Sequence, residues 1–474
     1  MGGAQAADLP VKAKAVEYVR ICSLYGAGFF YIPGTDTCIK LGGFLRADLT
    51  INGGVFDAPF YNTEAGIRDR WANFYADRSR LALTIDTRTA TEYGVVRTFG
   101  QADFQFETYN SSNSIGIAAS VNPAANAGLL NNNSVGNGYT AVELVFLQFA
   151  GFTFGKSASA FSTPWHGYPG NNTSFLVGGY DSVTGINNIQ YTWQFGNGVS
   201  TTLGIDDSSA NQFNRTQIIN AVGGTAGGNL GFSGAASAFI TGVGTAYGGT
   251  SVPDFVGNIR VDQAWGLFQI SGAVHDNHAG YFSIANDVGT TFNNGQNQTG
   301  AVNFGHPSDV YGGAVSAALQ IKNIPTGAGD DIKMDATWSR GASKYVIGTS
   351  GAAPSSFDIY SGTRFAMGAV TDSIYSGISA TNGNGQTGLQ LTNGWGFRGA
   401  FNHNWDPYWS SSLRRHRRAE LQPDRQDALL QCLPASDRRR WHYRYYLRCG
   451  VTRCDPGFTI SEIGVVTRWT RSRI

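Results

Sequence analysis

Four arginines and three aspartates are the residues of this 474-residue chain whose types and spacing could act on charge. Arg46 with Asp48, Arg78 with Arg80, and Arg97 with Asp103 are separated by even numbers of residues. In an extended backbone, residues of one parity project from one face. Guanidinium and carboxylate groups gathered on such a face set a local field that biases approaching ions, without breaking any covalent bond. Asp181 adds a carboxylate in a later segment, 157–186, that also contains Pro164, Trp165, Tyr168, Asn171 and Phe175. Other chemistry is thinly represented. His275 and His278 have the spacing of half a metal site, but no cysteine or third histidine stands in register, so a lumen or loop role is expected. The run "GNGQTG" matches a dinucleotide pattern only through Gly383, Gly385 and Gly388, with no strand–turn–helix around it. His166 and His403 have no evident serine partner for acyl transfer. No catalytic, cofactor or metal site is expected.

The elements that must position the charged residues are read from alternation. From Ile39 to Ile51, odd positions carry Ile39, Leu41, Leu45, Leu49 and Ile51, while even positions carry Lys40, Arg46, Asp48 and Thr50. Leu81, Leu83 and Ile85 alternate with Arg78, Arg80, Thr84, Asp86 and Arg88. From Val96 to Glu107, Arg97, Gln101, Asp103, Gln105 and Glu107 alternate with Val96, Thr98, Ala102, Phe104 and Phe106. This period of two predicts strands with one apolar and one polar face. Further strands are expected near 141–150, 151–160, 187–196, 199–207, 255–263, 265–275, 309–322, 330–340 and 393–404, twelve in all.

Periodicity leaves open which face meets water, because a soluble sandwich alternates too. The connections decide more. "FAGFTFG", "QFGNGVS" and "VDQAWGLFQ" join strands almost directly, whereas 107–138, 208–253 and 276–308 are long and rich in Gly, Asn, Ser and Thr. Tight turns at one end and long loops at the other are the layout of a transmembrane β-barrel. Composition agrees: 42% hydrophobic, 14% charged, 13% aromatic, 63 glycines and a mean hydropathy of −0.18. No run of about 18 apolar residues supplies a transmembrane helix, and barrel strands need none.

Ala4-Gln5-Ala6 before Ala7 has the small-residue pattern of a secretory cleavage site, so residues 1–6 are read as its remnant. Export permits a disulfide, and Cys22 and Cys38 are the only cysteines before residue 432. Either they bridge or they remain two free thiols. Charge divides the chain as well. From Leu413 onward there are 14 Arg, no Lys and six acids, a net of +8, against −7 for the remainder.

The stretch "AADLPVKAKAVEYVRICSLYGAGFFYIPGTDTCIKLGGFLRADL" resembles the opening of the outer-membrane porins of alphaproteobacteria, the rhizobial and Brucella-type family. "DRSRLALTIDTRT", "LQFAGFTFGKSASAF", "GWGFRGAFNHNWDPYWS" and "ISEIGVVTRWT" are similar to later strands of that family, so the resemblance covers residues 7–412 and resumes over 457–470. It implies an all-β, sixteen-stranded antiparallel barrel in the outer membrane, narrowed by its third extracellular loop. It implies passive diffusion of small hydrophilic solutes and ions, with no enzymatic step. It also implies a homotrimer in outer-membrane lipid and lipopolysaccharide, assembled by the barrel-assembly machinery, with the cysteine pair capping the region before the first strand. Arg46, Arg78, Arg80 and Arg97 would then form a basic wall facing acids of the inserted loop, Asp181 among them. The bland alternative pairs these arginines locally with Asp48, Asp77 and Asp103. Rival readings of the whole are a substrate-specific channel, a non-conducting adhesin or structural barrel, and a secreted sandwich.

Residues 413–456 break the pattern. Alternation stops, arginine crowds in, and Cys432, Cys449 and Cys454 appear. Family-like text returns over 457–470 and is lost again over 471–474, leaving the family's terminal aromatic strand unrepresented. "DRRRWHYRYYLR" has the charge and rings of a nucleic-acid arm, but an exported barrel has no use for one, and no nucleic-acid partner is expected. A GC-rich gene read out of frame yields this composition. Translating the two neighbouring frames across the codons for 413–456 is expected to restore glycine-rich alternating sequence; arginine-rich text in every frame would remove the frame explanation.

Overall fold

The computed structural model describes residues 20–51, 75–107, 138–167, 169–170, 179–180, 184–209, 216, 218–220, 247–282, 305–347, 356–361, 364–369, 371–375, 386–406 and 410–423. The expected cleavage remnant, Asp181 and the family-like stretch 457–470 lie outside the described residues, as do the side chains of Asp48 and Arg78.

A short strand β1 (Phe30–Tyr31) is followed by seven strands: β2 (Thr37–Ile51), β3 (Tyr75–Thr91), β4 (Gly94–Glu107), β5 (Gly138–Phe149), β6 (Phe152–Ser157), β7 (Ile186–Gly196) and β8 (Val199–Asp206). After β9 (Ile218–Asn220) come β10 (Asp254–Gln263), β11 (Gly266–Asn277), β12 (Val310–Lys322) and β13 (Asp331–Arg340). A helical turn α1 (Lys344–Ile347) precedes β14 (Ser356–Ser361), β15 (Arg364–Ala369) and β16 (Ser373–Tyr375), and β17 (Gln390–Asn404) and β18 (Ser410–Pro423) close the described chain. All twelve strands expected from alternation are present. Among the described residues, sixteen strands form one sheet, in which β2–β8, β10–β13, β17 and β18 run as an up-and-down antiparallel series. The short β9 pairs in parallel with β16, which edges β17, while β14 and β15 form a separate hairpin. Among the described residues, β18 has a strand partner only in β17. That strand carries backbone pairing into residues 413–423, where the sequence no longer alternates, because the ladder itself needs only N–H and C=O groups.

Turn chemistry fixes the register. Ala150 and Gly151 both have positive φ (48° and 87°), as do Asn197 and Gly198 (49° and 73°). Two consecutive positive φ values make the two-residue hairpin turn whose twist matches antiparallel strands. A Cβ at Gly198 would also overlap the carbonyl oxygen of Asp262 on the next strand. At the β12–β13 turn Asp330 does the equivalent work, accepting hydrogen bonds from Thr326 Oγ1 (2.6 Å) and from the Asn404 amide (2.8 Å). The Thr326 hydroxyl first, with help from the Asn404 amide and His403, holds that carboxyl down at about 2.

Cys22 and Cys38 are bridged, with Cα atoms 6.1 Å apart and a sequence separation of 16. A closure of that size is worth roughly 3 kcal/mol in the chain-entropy account. The bridge packs with Phe29, Tyr25 and Tyr31 at the tight-turn end of the sheet, and the Arg88 guanidinium lies 5.0 Å from the Phe29 ring centroid. This is the cap before the first long strand that the family resemblance implies.

Polarity is inverted relative to a water-soluble sheet protein. Leu41, Leu45, Leu83, Ile85, Phe104, Val145, Phe154, Leu203, Phe255, Ile259, Ile270 and Val315 are exposed, while Asp103, Asp206, Asp254, Asp335, His275 and Arg398 are buried. At about 1.5–3 kcal/mol for a fully exposed side chain, a dozen that are about half exposed forfeit roughly 9–18 kcal/mol in water. That is as large as the roughly 5–15 kcal/mol net stability of a folded domain. The outer face is therefore matched to hydrocarbon, and the sandwich reading falls. Trp193, Trp338 and Trp395, 41%, 50% and 45% exposed on that face, are expected to lose fluorescence in vesicles of brominated phospholipid; undiminished emission would place them in a water-soluble globule.

Candidate permeation site at an inward-folded loop

The segment after β6 does not stay beside its own hairpin. Ser159 Oγ donates to Asp206 at the end of β8, and its oxygen accepts the Phe161 amide, turning the chain inward. Asn258 Nδ2 of β10 then donates to the Ala160 carbonyl (2.6 Å), and Gln269 Nε2 of β11 to the Ser162 carbonyl (2.7 Å). Further on, Asn402 Nδ2 of β17 reaches the Pro169 carbonyl (3.2 Å), and Arg398 Nη2 of the same strand reaches that of Tyr180 (3.4 Å). β6 pairs with β5 and β7, so a segment touching β8, β10, β11 and β17 has crossed the sheet's polar face. The described part of 157–186 thus folds inward as expected.

Its anchor is aromatic. Phe161, Tyr180 and Tyr345 of α1 pack at centroid distances of 4.4–6.0 Å, over Val256, Ala273 and Ala314, the small inward residues of β10–β12. Small side chains on those strands leave room that Phe161 fills. The Tyr345 hydroxyl donates to Asp254 Oδ2 (2.6 Å), whose other oxygen is 2.6 Å from His275 Nδ1. His275 Nε2 meets the Tyr247 hydroxyl (2.7 Å), which also donates to Asp372 Oδ2 (2.9 Å). Asp372 accepts the amides of Thr216 and Ser343 as well. This chain of bonds ties two long connections, 207–253 and 341–389, to β10 and β11. His275 is therefore an interior, hydrogen-bonded histidine.

The far wall is ionic. Arg398 lies directly opposite Asp335, its Nε 2.9 Å from Oδ1, and both side chains are wholly buried. Gly179 passes so close that a Cβ there would stand 2.7 Å from Arg398 Nε.

Of the arginines singled out in the sequence, Arg46, Arg80 and Arg97 stand on the polar face of β2–β4, away from the loop's described contacts. Arg46 is in register with Arg80, and Arg80 with Gln105; Asp48 is in register with Arg78. Arg80 Nη1 lies 2.9 Å from Asp103 and 3.8 Å from Glu143, and Arg80 Nε donates to Gln105 (2.7 Å). Arg97 pairs with Asp86 (3.0 Å) and Gln148 (2.9 Å), and Arg88 shares Asp86. The structure thus brings Arg80 to Asp103, as local pairing requires. Whether the loop's acids face this wall turns on Asp181, outside the described residues. Glu143, Asp86, Asp254, Asp335 and Asp372 were not singled out. Glu143 had a signal, a lone acid in "TAVELVF", and it sits where the β4–β5 register shifts.

A family model described as porin subfamily matches residues 8–471. Porin Omp2b of Brucella suis is 32% identical over 278 residues, covering 57% of this chain and 61% of that protein. Porin Omp2b of Brucella abortus (strain 2308) is equally similar, covering 57% and 60%. The chain thus spans about three fifths of the curated relatives it matches. Among solved structures, the outer membrane channel DcaP of Acinetobacter baumannii covers 83% of this chain and 81% of its own, at 12% identity and a TM-score of 0.48. OmpF of Salmonella typhi, in complex with daunomycin, covers 84% and 94% at 8% identity and a TM-score of 0.29.

Asp335→Leu leaves Arg398 buried without its counter-charge and is expected to cost about 3–5 kcal/mol, lowering the midpoint of thermal loss of β-sheet circular dichroism. Asp335→Leu with Arg398→Met should recover most of that midpoint; equal losses in the single and double variants would show that the two side chains do not act as a pair.

Proposed function

The chain belongs to the porin subfamily, and on that premise we propose that it forms a water-filled channel of the outer membrane through which small hydrophilic solutes and ions pass by diffusion. The inversion of polarity carries this reading: apolar side chains are turned outward and charged ones inward on the same strands. A polar interior keeps water continuous, and fixed charges at the narrowest level bias ions without a binding step. Diffusion breaks no bond, so no catalytic group is assigned. The inward loop with Phe161 and Tyr180 supports a constriction partway along the conduit.

Ion preference is assigned to the charged face of β2–β4: Arg46, Arg78, Arg80 and Arg97, with Asp48 and Asp103 interleaved and Asp181 supplied by the loop. Pairing balances these charges in number but not in place: Arg88 and Arg97 share a single carboxylate, Asp86. Arg80 in turn screens both Asp103 and Glu143. A homotrimer, seated in outer-membrane lipid and lipopolysaccharide after delivery by the barrel-assembly machinery, completes the reading.

In planar bilayers the full chain is expected to give a conductance that rises with salt without saturating. Replacing Arg46 and Arg80 together by glutamine should raise the K+/Cl− permeability ratio about twofold or more, because Asp103 and Glu143 are then left unscreened. An unchanged ratio would remove the charged-wall assignment. Saturation with one solute would instead favour a substrate-specific channel, and a silent bilayer containing folded protein would overturn the channel itself.

A further inference from the structure

The two ends of the long connection between β11 and β12 bring together metal-ligating side chains that permeation leaves unused. Asp276 is the penultimate residue of β11, His278 follows that strand, and Asp309 immediately precedes β12. One donor atom from each lies within 4.8 Å of the others. His278 Nδ1 is 3.0 Å from both oxygens of Asp309. Strand parity puts Asp276 on the same outward face as Phe268, Ile270 and Val274, above the apolar band, so it is not part of the interior network around His275.

Asp276 itself points to a ligand. The residue is 6% exposed, and although Oδ2 accepts from Ser251 Oγ, Oδ1 is shut off from solvent without any hydrogen-bond partner. Leaving a charged acceptor so buried is costly, and a cation is the group that would satisfy it. The imidazole is held in place from behind. The Gly248 amide donates to the His278 carbonyl (2.9 Å), and a Cβ at Gly248 would stand 2.7 Å from His278 Cδ2. Only glycine lets the ring lie against that backbone.

We propose that Asp276, His278 and Asp309 form a divalent-cation site at the loop end of the sheet, suited to an ion of the zinc or manganese class. One imidazole nitrogen with two carboxylates is a borderline donor set, whereas calcium takes six to eight oxygens. Donor atoms around zinc stand about 3.3 Å apart, so the His278–Asp309 separation already fits, and only Asp276 has to close in. Water completes the coordination. A bound ion ties the beginning of the 278–309 connection to its end.

The test uses the full chain refolded in detergent, stripped with chelator and titrated with MnCl2 while free Mn2+ is followed by electron paramagnetic resonance, a readout independent of conductance. One Mn2+ per chain is expected, displaced by ZnCl2 and at least about tenfold less readily by CaCl2. His278→Gln and Asp309→Asn, both at partly exposed positions, should each weaken binding at least about tenfold, while His403→Gln at the opposite end should not. Absence of stoichiometric binding below about 1 mM, the weak end of extracellular sites, overturns the proposal without any variant. So does one-to-one binding that survives both substitutions.

Discussion

In hydrocarbon there is no water to complete a backbone hydrogen bond, so every N–H and C=O of a membrane-crossing strand must find its partner on a neighbouring strand. That requirement governs this molecule more than any side-chain contact. It explains why the long strands run in sequence order, each antiparallel to the last, and why hairpins at the tight-turn end are as short as two residues. With the backbone committed to the ladder, side chains are left only the choice of face. Aliphatic and aromatic groups take the face turned to lipid, and the polar ones are driven inward, where they must bond to one another or to water. The buried Arg398–Asp335 pair and the Asp254–His275–Tyr247–Asp372 chain follow from that confinement.

The interior is consequently ordered by charge rather than by apolar packing. Arg80 is shared between Asp103 and Glu143, and Asp86 between Arg88 and Arg97, so neither group is a simple pair. Shared ions of this kind keep the wall polar without emptying it of field. The aromatic cluster of Phe161, Tyr180 and Tyr345 is one apolar exception, and it occurs where the loop has to be held against the strands, over inward alanines and a valine; Ile218, Tyr375 and Leu389 form another.

Much of this was legible because the strand period is short and regular. Leu81, Leu83 and Ile85 against Arg80, Thr84 and Asp86 identify both a strand and its faces, and Asn197-Gly198 announces its turn. Some pairings were computable and went unread. A two-residue turn at 264–265 puts Asp254 opposite His275 by counting alone, and the turn at 92–93 puts Arg80 opposite Gln105. Others had no local signal. Arg398 faces Asp335 across a connection of 49 residues, 341–389, whose length fixes no register. Asp372 and Tyr247 come from long connections without periodicity, and Glu143 reaches its place through a register shift that alternation cannot reveal.

The clamp on the inward loop carries a lesson about order of assembly. Residues 159–162 can settle on β8, β10 and β11 while the C-terminal third is still unformed. Pro169 and Tyr180, however, are held by Asn402 and Arg398, more than two hundred positions downstream. Contacts so distant along the polypeptide close late, because the entropy of the intervening chain must first be overcome. The inward segment therefore takes its final place on the sheet only once β17 has docked, and its two ends are secured at different stages of assembly.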